Sequence, residues 1–242
     1  MFKKVFINTG AQIVGKTITA SITLLITFII FRNLGPAGYG DFTKIFVFVG
    51  YFYTLADFGL NAIYIKIARE NELKHLKPLL GLRILIGVTL ALVAASIAYF
   101  LPYNPQTSTG FSPLVKIGIA IGAFTIITQS LFITANAFFQ KILRYDLSTI
   151  AAVNGYLVVL IWAVIVSFAG KSLLLYTTAY VLGGITLVLV AYVFIASRVG
   201  QFFTPAFSQK EFLAFIKPAW PVGLAILFNL IYFRIDVLIL SN

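Results

Sequence analysis

The chain has 242 residues, of which 60% are hydrophobic and only 10% are charged, and its mean hydropathy is +1.00. Soluble domains carry about 25% charged residues, so this composition excludes an ordinary soluble domain and predicts an integral membrane protein. The chain has no cysteine, which excludes disulfides, thiolate catalysis and cysteine metal sites. The net charge of +11 comes from cations between apolar runs, so we interpret it as a topology signal and not as a nucleic-acid interface.

Seven apolar segments follow one another along the chain. They cover about residues 6–31, 42–67, 79–101, 114–138, 147–169, 173–196 and 218–240. Each is long enough to cross a bilayer, for which a helix needs about 20 apolar residues. The pattern therefore predicts an all-α polytopic membrane bundle of about seven transmembrane helices.

A glycine-rich stretch, Phe31 to Gly40, separates the first two segments and reads F-R-N-L-G-P-A-G-Y-G. Glycine adopts backbone angles that other residues avoid, and Pro36 lacks the N–H that would continue a helix. We therefore expect one helix to end near Arg32 and the next to begin near Asp41.

Lysine and arginine are distributed unequally between the two sides of the predicted bundle. With the N-terminus inside, 12 of the 18 cations lie on the inner side and 4 on the outer side. The inner ones are Lys3, Lys4, Lys66, Arg69, Lys74, Lys77, Arg83, Lys141, Arg144, Arg198, Lys210 and Lys217. Because cytoplasmic loops carry the excess of cations, we predict a cytoplasmic N-terminus and cytoplasmic loops at 67–79, 138–147 and 197–217.

Three segments carry polar residues on one helical face. The three sets are Asn8, Gln12, Lys16, Thr19, Thr23 and Thr27; Thr54, Asp57, Asn61 and Tyr64; and Thr125, Gln129, Asn136 and Gln140. Interhelical hydrogen bonds explain the threonines. Ionisable residues at membrane depth are costly and face a partner or a water-filled cavity, so Lys16 and Asp57 indicate a polar lumen. Both lie at a similar predicted depth, and we expect either a direct ion pair or a shared cavity without contact.

Enzymatic chemistry finds little support in the sequence. The seven aspartates and glutamates form no evident general acid/base pair, and the single histidine, His75, lies in a charged segment typical of the membrane interface. We predict no catalytic residue, no metal site and no cofactor.

Three motifs are similar to those of the polysaccharide biosynthesis membrane proteins. They are the Phe31–Gly40 turn, Leu55–Leu60 (L-A-D-F-G-L) followed by Ile67-Ala68-Arg69, and Tyr232–Val237 (Y-F-R-I-D-V). In this order and over the whole chain, they resemble the Wzx-type O-antigen and lipid-linked oligosaccharide flippases of the multidrug/oligosaccharidyl-lipid/polysaccharide exporter superfamily.

The resemblance implies a transporter with two six-helix lobes around a cavity that opens alternately to each side. This chain would supply the first lobe (1–197), a cytoplasmic linker (198–217) and the first helix of an incomplete second lobe (218–242). The implied substrate is a polyprenyl-pyrophosphate-linked oligosaccharide crossing the cytoplasmic (plasma) membrane, and the implied partners are the lipid bilayer and glycan-assembly proteins.

The predicted substrate-binding residues are Lys16, Asp57, Asn61, Gln12, Arg32, Arg83 and Arg234. Lys16 is the preferred cation for the pyrophosphate, whereas for the three arginines we favour snorkelling to lipid headgroups. Three alternatives remain open: a cation-coupled drug exporter of the same superfamily, a membrane glycan-assembly enzyme, and a non-transporting scaffold.

Overall fold

The computed structural model describes residues 2–68, 72–107, 109–170 and 172–232. Eight helices and one small hairpin make up this part of the chain: α1 (Phe2–Asp57), α2 (Leu60–Ile67), α3 (Glu72–Phe100), β1 (Tyr103–Asn104), β2 (Thr109–Gly110), α4 (Pro113–Gly122), α5 (Phe124–Lys141), α6 (Tyr145–Ala169), α7 (Leu173–Val199) and α8 (Gln209–Tyr232). The two short strands pair antiparallel. The predicted all-α class is confirmed.

The turn between the first two apolar segments is a kink at one residue. Gly35 has φ 71° and ψ 178°, and helical conformation continues on both sides of it within α1. Pro36 follows at the start of the second half, where its missing N–H leaves no hydrogen bond unmade. The predicted interruption in this stretch is confirmed, and the first helix ends at Leu34, close to Arg32. The second helix begins at Pro36 and not near Asp41, because a single glycine with positive φ redirects the chain without an open loop.

Two other predicted segments are interrupted. The second breaks at Phe58 and Gly59, which have φ of 40° and 76°, so that α1 ends at Asp57 and α2 begins at Leu60. The fourth breaks at Ala123, between α4 and α5. The start of α4 is well defined, since the Val115 N–H donates to the Ser112 hydroxyl at 3.3 Å and Pro113 occupies the first turn.

Five helical stretches of the described residues are long and apolar enough to cross a membrane: Gln12–Ile67, Leu73–Phe100, Pro113–Lys141, Tyr145–Ala169 and Leu173–Val199. The first contains the first two apolar segments, on either side of Gly35. Large apolar side chains cover the outside of the bundle, among them Leu24, Leu92 and Phe168, which is 88% exposed. An apolar exterior around hydrogen-bonded helices is what a bilayer requires, so the protein is a membrane bundle.

The seventh apolar segment differs in its bounds. The helix that contains it, α8, begins at Gln209 and not near 218, and residues beyond Tyr232 lie outside the described part of the chain. The exact number of membrane crossings and the division into a lobe, a linker and a second lobe therefore stay predictions.

The connections group at two ends of the bundle. At one end the Lys44 ammonium donates to the Gly110 carbonyl at 3.1 Å, which joins α1 to the hairpin. At the other, the Lys141 ammonium donates to the Ile65 carbonyl at 3.2 Å. Each of these two hydrogen bonds therefore joins residues that are predicted to lie on the same side of the membrane. Which end faces the cytoplasm stays a prediction from the charge distribution.

Candidate functional site

Arg83 is a fully buried cation in an apolar helix. Its side chain is 0% exposed and reaches from α3 to the point where α1 ends. The guanidinium donates from Nη2 to Asp57 Oδ1 at 2.7 Å and to Asn61 Oδ1 at 2.7 Å, and from Nη1 to the Ala56 carbonyl. We call Ala56, Asp57, Asn61 and Arg83 the Arg83 cluster. It joins α1, α2 and α3 through one side chain.

The break between α1 and α2 explains the place of this cluster. The last four carbonyls of a helix have no partner within it, and Arg83 donates to one of them, that of Ala56. Gly59 then takes φ 76°, and a Cβ at this position would lie 2.6 Å from Val222 Cγ1 of α8. Phe58 packs on Trp220 of α8, with ring centroids 5.6 Å apart. Arg83 therefore contacts the break between α1 and α2 directly, and α8 packs against Phe58 and Gly59, the two residues of that break.

Two predictions about these charges are wrong. Arg83 does not snorkel to headgroups, because three acceptors inside the protein bind its guanidinium. Asp57 pairs with Arg83 and not with Lys16. The sequence contained a signal for this pair, since the cost of an ionisable residue at membrane depth applies to Arg83 as it does to Lys16.

Lys16 lies elsewhere, beside a cavity between α1, α5 and α6. The cavity has a volume of about 310 Å³. Its lining residues are Gln12, Gly15, Lys16, Thr19, Phe132, Asn136, Tyr145, Ser148, Thr149 and Ala152, and we call it the Lys16 cavity. Asp57 does not line it, and a wider lumen shared by Lys16 and Asp57 stays a prediction.

The Lys16 ammonium has no partner in the part of the chain that the structure describes. The side chain is exposed, and within the described residues the ammonium makes no ion pair and no hydrogen bond. The Ser148 hydroxyl and the Asn136 amide oxygen are 2.9 Å apart and hydrogen-bonded. The cavity thus combines one unpaired cation with neutral polar groups, an arrangement suited to an anion.

The structure brings some predicted residues together and separates others. Gln12 and Lys16 share the Lys16 cavity, and Asp57, Asn61 and Arg83 form the Arg83 cluster. Arg32 is exposed near the Gly35 kink and belongs to neither. Arg234 lies outside the described residues.

Sequence reasoning missed the contribution of α6 to the Lys16 cavity. Tyr145, Ser148 and Thr149 occupy the first turns of this helix, beside a predicted loop. The close crossing of α1 and α6 brings them to Lys16, since a Cβ on Gly15 would lie 1.9 Å from Thr149 Cγ2.

No group of three or more histidine, aspartate or glutamate side chains in the described ranges is suited to hold a metal ion.

Comparison with known proteins gives one finding. A family described as Polysaccharide biosynthesis protein matches residues 4–242. This range includes the three motifs from which the resemblance was inferred. No curated protein and no solved structure matches the chain.

Proposed function

This chain belongs to the polysaccharide biosynthesis protein family, and on that premise we propose that it transports a polyprenyl-pyrophosphate-linked oligosaccharide across the cytoplasmic membrane. The family match and the apolar helices support the coarser statement of a membrane protein of polysaccharide synthesis. One observation carries the finer proposal: Lys16 lies on the wall of a polar cavity and pairs with none of the described residues.

The chemistry of the Lys16 cavity fits a pyrophosphate. Hydrogen bonds between an ammonium and an anionic oxygen are short and stronger than neutral ones. A charged side chain at membrane depth costs about 2.5–3.5 kcal/mol on insertion scales, and an anionic ligand offsets part of this cost. Ser148 and Thr149 add hydroxyls that can donate to further phosphate oxygens.

The proposed mechanism involves no covalent step. The pyrophosphate binds at Lys16 while the polyprenyl chain stays in the bilayer, and the bundle then exposes the cavity to the other side. The Arg83 cluster supports this scheme by joining α1, α2 and α3, and α8 packs against the adjoining break. These helices can then move as one body when access alternates.

The Arg83–Asp57 ion pair weighs against a cation-coupled drug exporter. A coupling cation needs an available carboxylate, and the Asp57 carboxylate already binds a guanidinium at 2.7 Å. Asp236 lies outside the described residues. The transporter of an anionic lipid-linked glycan is therefore the function we prefer.

The test is restoration of surface glycan in cells that lack their own flippase. We expect Lys16→Met to lower restoration at least tenfold and Lys16→Arg to keep most of it, because only the charge is required. Thr23→Ala is the matched control, since Thr23 lies on the same face of α1 and its hydroxyl only donates to the Thr19 carbonyl at 2.8 Å. Full restoration by Lys16→Met, at wild-type protein level, would remove Lys16 from the mechanism.

A further inference from the structure

A second cavity in the bundle is separate from the Lys16 cavity. It has a volume of about 310 Å³ and lies between the second half of α1 and helices α5, α6 and α7. Five aromatic residues line it, Phe42, Phe46, Tyr53, Tyr156 and Tyr180, and no charged residue does. We call it the aromatic cavity.

Three of these rings form a continuous wall. The centroid of Tyr180 lies 4.5 Å from that of Phe46 and 5.6 Å from that of Phe42, and the two phenylalanine rings are 4.9 Å apart. Rings in contact at such distances stabilise one another, so the wall has a defined shape. Much of the surface that an occupant would contact is therefore aromatic.

Three polar groups on the cavity lining make no hydrogen bond to any residue that the structure describes. Within the described residues, the hydroxyls of Tyr156 and Tyr180 and the amide of Gln129 neither donate nor accept a hydrogen bond, whereas the Tyr53 hydroxyl bonds to Thr125 Oγ1 at 2.6 Å. None of these three polar groups is fully buried, so an apolar occupant that displaced water from them would cost about 1–3 kcal/mol for each hydrogen bond lost. An occupant that offers hydrogen bonds is therefore favoured over an apolar one.

From these groups we infer that the aromatic cavity binds one neutral sugar ring. A pyranose presents C–H faces to aromatic rings and hydroxyls to Tyr156, Tyr180 and Gln129. An isoprenoid chain would leave the three polar groups unpaired, and a phosphate would meet no cation. The volume is sufficient, since a dry cavity of about 150 Å³ already holds benzene.

The aromatic cavity lies next to the Lys16 cavity along two shared helices. Tyr156 follows Ser148 by eight residues on α6, and Gln129 precedes Asn136 by seven on α5. At ~1.5 Å per residue this is a separation of about 10–12 Å along the helices. The inference rests on the proposed function in one respect: a glycan whose pyrophosphate binds at Lys16 extends its sugars towards the aromatic cavity.

The test measures sugar binding separately from transport. The chain is purified in detergent, and saturation-transfer NMR is recorded with the methyl glycosides of glucose, galactose and N-acetylglucosamine. We expect transfer to the ring protons of at least one glycoside, and a loss of at least fivefold in the double variant Tyr156→Phe/Tyr180→Phe. Tyr176→Phe is the matched control. Tyr176 also lies on α7, and its hydroxyl makes no hydrogen bond to the described residues, but it does not line the cavity.

The outcomes distinguish the two proposals. Lys16→Met should leave glycoside binding unchanged even where it abolishes transport. If glycosides bind and Lys16→Met transports normally, the sugar site stands and the pyrophosphate assignment fails. Absence of transfer to all three glycosides, or transfer that the double variant retains, overturns the sugar site. If farnesol displaces a bound glycoside, and the double variant binds the glycoside as well as the wild type does, the cavity is likewise assigned to a lipid chain.

Discussion

Arg83 and Lys16 are both cations within apolar helices, yet one is fully buried and the other is exposed. Arg83 binds a carboxylate, an amide and a carbonyl, while the Lys16 ammonium has no partner among the described residues. The planar guanidinium presents several donors in a fixed geometry, which suits a convergent set of acceptors, whereas the lysine ammonium is a compact point charge. A cation whose partners are internal supports the structure, and a cation without one is available to a ligand.

The largest loss of stability is expected from the removal of Arg83, the paired cation. Arg83→Met leaves Asp57, Asn61 and the Ala56 carbonyl without their common donor. Breaking a buried ion pair costs about 3–5 kcal/mol, and because the Asp57 side chain is 35% exposed we expect a value near the lower limit. Thermal unfolding in detergent, followed by size-exclusion chromatography, should show a large loss of the folded monodisperse fraction.

Arg144→Met is the control for this change. The Arg144–Asp146 pair has the same 2.7 Å separation, but its side chains are 36% and 30% exposed. Exposed ion pairs contribute about 0.2–1 kcal/mol, so the control should remain close to wild type. Equal destabilisation by the two substitutions would contradict the distinction between buried and exposed cations.

A double substitution sharpens the assignment of the pair. Asp57→Asn removes one charge and leaves Arg83 bound to Asn61 and to the Ala56 carbonyl, so we expect a loss of about 1–3 kcal/mol. In the double variant Arg83→Met/Asp57→Asn no unpaired charge remains, and stability should exceed that of Arg83→Met alone. The same unfolding assay measures the coupling energy, and strict additivity would mean that the two side chains do not interact.

The next loss of stability is expected from a substitution at the break between α1 and α2, beside the Arg83 cluster. Gly59→Ala places a Cβ at φ 76° and 2.6 Å from Val222 Cγ1, and we expect a loss of roughly 1–3 kcal/mol. Gly50→Ala is the matched control: a Cβ there meets nothing within 4 Å, and alanine is favoured over glycine in a helix by roughly 0.5–1 kcal/mol. If both variants unfold at the wild-type temperature, the break does not require glycine.

The smallest effect on stability is expected at the unpaired cation. Lys16→Met removes no contact between the ammonium and the described residues, so the unfolding free energy should change by no more than about 0.5 kcal/mol. The comparison is with the same variant in the glycan restoration assay, where a large loss is expected. A strong destabilisation by Lys16→Met would show that Lys16 has a structural role after all.

The sequence by itself was sufficient for the class of the protein and for its family. Hydropathy is summed along the chain, so apolar runs predict membrane helices without knowledge of their neighbours. The Lys16 face of α1 was also predictable, because residues three and four apart share one side of a helix. These are local properties, and Gln12 and Lys16 do line one cavity in the structure.

Only the tertiary structure decided which charges pair and where cavities form. Arg83 and Asp57 are 26 residues apart in the chain, and the aromatic cavity draws on four helices. The one-residue kink at Gly35 and the break at Gly59 set the directions in which α1 and α2 meet their neighbours. Hydropathy contains no information about these directions. The physical reason is that the energy of a charge depends on the groups within a few ångströms of it, and packing brings those groups together.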